Sequence, residues 1–163
     1  MTYGKEYSVV KQAKGKWVDV PICWPVMEAF RYPDGSDGWY LRKDFSFRYN
    51  NTVYTVKRGF DFDGASIPKA FWSTIGHPLQ TTRLLAALFH DILYCVHIWP
   101  RGDCDTAFLE IQEASGEGWF TRNKCYAAVR AAGGFCYPKT EAEIKKYKPF
   151  LVVEALALQP GEA

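Results

Sequence analysis

Residues 81–98 read Thr-Thr-Arg-Leu-Leu-Ala-Ala-Leu-Phe-His-Asp-Ile-Leu-Tyr-Cys-Val-His-Ile. Apolar side chains fall on almost every side of the 3.6-residue period, so the stretch predicts a helix from Thr81 to about Ile98 at the centre of the fold. It is no membrane span. The longest unbroken apolar run is Leu84 to Phe89, whereas a span needs roughly 18 or more apolar residues. The anomaly inside it is the adjacent pair His90-Asp91, because burying either group unpaired costs several kcal/mol.

Downstream the pattern stays helical. Asp103 or Cys104 to Ala114 predicts a helix closed by Ser115-Gly116, and Thr121 to Ala132 one ended by Gly133-Gly134. Thr140-Glu141-Ala142-Glu143 is a capping box that starts a last helix, and the tail 159–163 is expected to fray. Upstream, Ser66-Ile67-Pro68 opens a short helix through about Ile75. Before residue 63 the signals change to strands and turns. Val18 to Val26 predicts a strand with Pro21 and Pro25 near its edges, and Tyr32 to Gly38 a loop. Trp39 to Asn50 and Thr52 to Phe62 predict two strands joined at Asn50-Asn51. Phe45, Phe47 and Tyr49 fall on one face, followed by Val53, Thr55 and Lys57 on the return strand.

The expected class is therefore α+β: a small antiparallel sheet in the N-terminal half, packed against a C-terminal cluster of four to five helices. One domain over 1–163 is expected, 1–62 mainly β and 63–158 mainly α.

Composition narrows function by exclusion. Hydrophobic residues are 48% and charged residues 23%, which rules out general disorder. Twenty Lys and Arg against 18 Asp and Glu give a net charge of +2. With the lysines spread along the chain, no nucleic-acid partner is expected. Aromatics reach 17%, including six Trp, which suits a thick aromatic core or an adhesive surface. Cys23, Cys95, Cys104, Cys125 and Cys136 form no C-x-x-C pair, so buried thiols are expected rather than a thiolate metal site. The first seventeen residues lack an apolar core for a signal peptide, so a soluble protein made in a cytoplasm is expected.

Three segments can carry chemistry: Phe60 to Pro68, Phe89 to Tyr94, and Asp103 to Phe108. His90 and Tyr94 lie four apart and share a helical face. One reading makes Asp63, Ser66, His90, Asp91 and Tyr94 a catalytic set, with His90, Asp91, Asp63 and Asp105 around one divalent ion such as zinc or manganese. The competing reading is a structural network. In it His90 bonds a strand carbonyl and Asp91 pairs with an arginine such as Arg83 or Arg130. Asp63-Gly64 then forms a turn, Ser66 an N-cap, and Asp105 a carboxylate favoured in the first turn of its helix. His77 and His97 are weaker candidates without ligand-like spacing.

The order Asp63-x-x-Ser66-x-Pro68, His90-Asp91-x-Leu93-Tyr94, Asp105-x-x-Phe108, Tyr126-x-x-Val129-Arg130-x-x-Gly133 resembles a family catalogued as domain of unknown function 1353. The resemblance spans roughly Asn51 to Gly134. It implies a bacteriophage or prophage origin and a shared arrangement of Asp63, Ser66, His90, Asp91 and Asp105. The His-Asp pair is also similar to that of HD-type metal-dependent phosphohydrolases, with His77 and Asp105 in the other places. A sheet-first chain is wrong for that all-helical fold.

Two functions follow as expectations. One is a phage-encoded metal-dependent hydrolase, tail- or lysis-associated, acting on bacterial cell-wall peptide or glycan. The other is a non-catalytic virion component, such as a tail, baseplate or neck adaptor, that contacts other virion proteins.

Overall fold

The computed structural model describes residues 7–13, 16–21, 25–62 and 81–155, with side chains over 25–62 and 82–155. Asp63, Ser66, His77, the helix expected at 66–75 and the tail lie outside the described residues.

Within them the class is α+β, as expected, but the strands form two antiparallel sheets rather than one. The larger has the order β1-β2-β5-β6-β8: β1 is Tyr7–Ala13, β2 Lys16–Pro21, β5 Phe45–Tyr49, β6 Thr52–Val56 and β8 Leu151–Ala155. The smaller has the order β3-β4-β7: β3 is Met27–Arg31, β4 Asp37–Leu41 and β7 Asp61–Phe62. Four helices follow: α1 (Thr81–Val96), α2 (Arg101–Ala114), α3 (Trp119–Cys136) and α4 (Glu141–Tyr147).

Both long strands expected around Asn50-Asn51 are broken. Arg42-Lys43-Asp44 separates β4 from β5, and Lys57 to Phe60 separates β6 from β7, so each half serves a different sheet. The β4–β7 ladder runs on past its last paired residues, with Leu41 N–H donating to Phe60 O at 3.0 Å and Gly59 N–H to Leu41 O at 2.8 Å, which holds these segments in the smaller sheet. The β5–β6 turn forms as its sequence dictates, with Asn50 and Asn51 at φ of 51° and 58°, the left-handed pair of a type I′ hairpin. Its register pairs Phe45 with Val56 and Phe47 with Tyr54. The face shared with Phe47 therefore carries Tyr54 and Val56, not Val53 and Thr55. Ser46 and Thr55 meet on the other face, their hydroxyls 2.7 Å apart.

β8 has no counterpart in the expected helical half. Its Leu-Val-Val run is short, and β-branched residues take strand form where a ready edge is offered, here that of β6. Helix α3 runs through Gly133-Gly134 to Cys136 instead of stopping at them. Helix α2 begins at Arg101, so Asp105 sits in its second turn and not its first. The Thr140 capping box forms as read.

α1 is the central element. Leu85 to Phe89, Ile92 and Leu93 are all at most 2% exposed. Phe89 is the hub of the aromatic core, with ring centroids 4.5 Å from Phe47, 4.9 Å from Tyr54, 5.9 Å from Tyr49 and 5.7 Å from Trp99. Much of the aromatic excess is thus core, joining the five-stranded sheet to α1. Trp119, Phe120 and Phe135 are exposed. No described helix is long and apolar enough to cross a membrane.

Truncating that hub opens a large cavity, so Phe89→Ala is expected to cost about 3–5 kcal/mol in urea unfolding.

Candidate functional site

His90, Tyr94 and Asp105 meet because α1 and α2 pack side by side, with one helical turn separating the first two. The imidazole Nε2 of His90 lies 2.7 Å from Asp105 Oδ1, and Tyr94 donates its hydroxyl to the same oxygen at 2.5 Å. From α3, Arg130 Nη1 donates to Asp105 Oδ2 at 2.7 Å. Asp105 is fully buried, and its carboxylate is tied to α1 by two bonds and to α3 by one. His90 therefore bonds a carboxylate, not a strand carbonyl, and Arg130 serves Asp105 rather than Asp91. Arg83 pairs with Glu117 at 2.9 Å.

The protonation states follow from this geometry. Burial pushes the Asp105 carboxyl up, but the hydrogen bonds from His90, Tyr94 and Arg130 outweigh it and hold it below its ordinary value. An ionised carboxylate only accepts, so His90 Nε2 carries the proton it shares with Asp105. The Arg130 guanidinium already balances the Asp105 charge, and burial keeps His90 neutral, its pKa below the ordinary 6.5. The opposite ring atom, Nδ1, is then an unprotonated base. It has no hydrogen-bond partner among the described residues and stands 4.0 Å from Asp91 Oδ1. Burial raises the Tyr94 hydroxyl, and its bond to Asp105 raises it further, so it stays a donor.

A pocket of about 240 Å³ opens on the Asp91 side of α1. Tyr32, Asp61, Asp91, Tyr94, Glu143 and Tyr147 line it, with Lys139 as its lysine. Tyr32 donates to Asp61 Oδ2 at 3.0 Å, which fixes that carboxylate from β7. The pocket thus gathers residues from β7, α1 and α4, and its carboxylates outnumber its lysine.

Asp61 is hidden in the sequence beside Asp63, because residues two apart share a strand face and alternation singles out neither. Asp105 lies across the imidazole from Asp91, so His90, Asp91 and Asp105 do not surround one ion. Among the described residues no three His, Cys, Asp or Glu side chains converge to hold a metal. A third ligand beside His90 Nδ1 and Asp91 would have to come from elsewhere. Asp63 and Ser66 lie outside the described residues. His97 closes α1 at φ 54° and bonds Tyr137 O at 2.5 Å, away from the pocket. Cys104 is buried, and burial with the neighbouring Asp105 carboxylate pushes its thiol up to about 12, which removes it as a nucleophile.

Gly133 explains why α3 tolerates glycine in its interior. A Cβ there would strike the Tyr94 hydroxyl and come within 3.3 Å of Arg101 Nη1, whereas at Gly134 the nearest atom is at 3.8 Å.

Comparison with known proteins adds a family. Residues 39–129 match the family described as "Protein of unknown function (DUF1353)". The match starts earlier than the resemblance read from the motifs and stops one residue short of Arg130. "Uncharacterized protein y4jT" of Sinorhizobium fredii is 46% identical over 94 residues, which is 57% of this chain and 28% of that protein. The chain thus spans well under a third of that relative's length. No solved structure matches.

Two outcomes follow. An unfolded histidine protonates below about 6.5 and buried His90 resists, so stability is lost as pH falls through that value. Asp105 contributes stability that is lost only at more acid pH, as its lowered folded value is crossed. His90→Gln keeps a donor for Asp105 and cannot titrate, so its urea-unfolding free energy is expected to be flatter between pH 7 and 5. Gly-to-Ala in a helix interior ordinarily stabilises by about 1 kcal/mol. That gain is expected at Gly134, while Gly133→Ala is expected to lose about 1–3 kcal/mol through the Tyr94 clash, read as opposite shifts in Tm.

Proposed function

The chain belongs to the DUF1353 family, and on that footing we propose that the His90 Nδ1 face and the pocket beside it form a hydrolase-like site. The observation that carries the proposal is the unprotonated, unpartnered Nδ1, held in one orientation by Asp105 at the far ring nitrogen. A buried lone pair without a donor costs about 1–3 kcal/mol, and such groups call for an ion, a water or a catalytic use.

One divalent ion, zinc or manganese, would supply a polarised water as nucleophile, held by His90 Nδ1 and Asp91 with a third ligand such as Asp63. Two nitrogen or oxygen ligands of a tetrahedral zinc stand about 3.4 Å apart, close to the 4.0 Å between Nδ1 and Asp91 Oδ1. Asp105 is then a positioning residue behind the histidine, which fixes the tautomer and raises the basicity of Nδ1. Asp61, held by Tyr32, would serve as acid or base toward a leaving group in the pocket, and the tyrosines would pack against substrate. Bacterial cell-wall peptide or glycan is the substrate class proposed, in a phage-encoded protein made in the host cytoplasm and carried in the particle or released at lysis.

A second reading has a specific observation behind it. The bonds to Asp105 tie α1, α2 and α3 together whether or not anything is hydrolysed. The protein would then be a virion part without chemistry.

Elemental mass spectrometry of the untagged protein separates the two. About one zinc or manganese per chain is expected, lost in His90→Gln while Tm falls little, together with release of wall fragments by the metal-loaded wild type alone. A metal-free wild type that leaves wall fragments intact would favour the virion part.

A further inference from the structure

A second cleft lies away from the pocket lined by Asp61 and Asp91, where the two sheets meet. The β4–β5 connection brings Arg42 and Lys43 to it, and the β6–β7 connection brings Lys57 and Arg58. Asp44 is its carboxylate, Pro149 and Phe150 are its apolar floor, and its volume is about 630 Å³. The four cations stand in two dibasic pairs about fifteen residues apart in sequence, so their convergence is a product of the fold.

The cleft is built, not a chance gathering of surface chains. Arg58 N–H donates to Asp44 Oδ1 at 2.8 Å, and Lys57 N–H donates to Phe150 O at 2.8 Å. Gly59 makes the turn at φ 87°, with the Phe150 ring 3.5 Å from the place of a Cβ. Two of the cations have carboxylate partners: Lys57 pairs with Asp44, and Arg42 with Glu28 at 2.9 Å. Lys43 and Arg58 have no side-chain partner among the described residues. Four bases against the two acids that pair with them, Asp44 and Glu28, leave the cleft net positive in a chain whose net charge is only +2.

We propose that this cleft binds a phosphate group, with Lys43 and Arg58 as the contacts that its own carboxylates leave open. Arginine offers paired donors matched to phosphate oxygens, lysine adds a point charge, and Phe150 gives an apolar surface for whatever carries the phosphate. The phosphate belongs either to a free anion or to a phosphodiester chain. A chain covering two or three of the cations would show a log–log salt slope of about −1.4 to −2.1. The proposal is independent of the hydrolase-like site.

The test measures binding of a fluorescent ten-residue oligothymidylate by anisotropy, and of inorganic phosphate by NMR shifts of the Arg58 and Gly59 amides. The full chain is used at low and moderate salt. Lys43 and Arg58 are exposed, so a Lys43→Ala/Arg58→Ala double variant is expected to fold, as circular dichroism will check. At least tenfold weaker binding is expected in it. Asp44→Asn keeps an acceptor for the Arg58 amide, removes the competing charge, and is expected to bind severalfold tighter. Phosphate shifts alone would make the ligand a free anion; oligonucleotide binding with the stated salt slope would make it a phosphodiester chain. Binding of neither probe, or equal binding by wild type and double variant, would overturn the proposal.

Discussion

A single buried carboxylate decides how the helical half is arranged. Asp105 has no exposed surface, and a charge in that place is tolerable only because Arg130, His90 and Tyr94 all donate to it. Those donors come from two helices flanking its own, so the relative placement of α1, α2 and α3 is constrained at one point. The requirement spreads outward. Tyr94 reaches Asp105 only by lying over Gly133, which in turn explains a glycine inside a continuous helix. Arg101 adds a second tie by donating to Arg130 O at 3.1 Å.

The same arrangement gives the imidazole two unlike faces. Its Nε2 side is closed by Asp105 in a fully packed interior, and its Nδ1 side stands near Asp91, which reaches the pocket. Charge is separated on a larger scale as well. The segment from Lys139 to Phe150 borders the acidic pocket with Glu143 and Tyr147, then the basic cleft with Pro149 and Phe150. One short helix and turn therefore lie between regions of opposite sign.

Much of the fold was legible because its signals are local. All-round hydrophobicity placed α1, paired asparagines placed the β5–β6 turn, and the Thr140 capping box placed α4. Other features depend on contacts distant in sequence. β8 takes strand form because the edge of β6 is open to it, and the splits at Arg42 to Asp44 and Lys57 to Phe60 come from β4 pairing with β7 while β5 pairs with β6 in the other sheet. At the site, the four-residue spacing of His90 and Tyr94 showed their common face. The role of Asp105 was not visible, because an acid near a helix start already has a local explanation. The basic cleft was hidden for the same reason: its two dibasic pairs look like ordinary solvated turns until the sheets bring them together.

The state of one ring is central: His90 neutral, its proton on Nε2 toward Asp105 and none on Nδ1. Nitrogen-15 NMR of histidine-labelled protein reads this directly, with the His90 signals assigned by comparison with His90→Gln. The Nε2–H tautomer is expected at pH 7, with the imidazolium forming only below the ordinary histidine value because burial disfavours it. An Nδ1–H tautomer, or an imidazolium at neutral pH, would contradict that state.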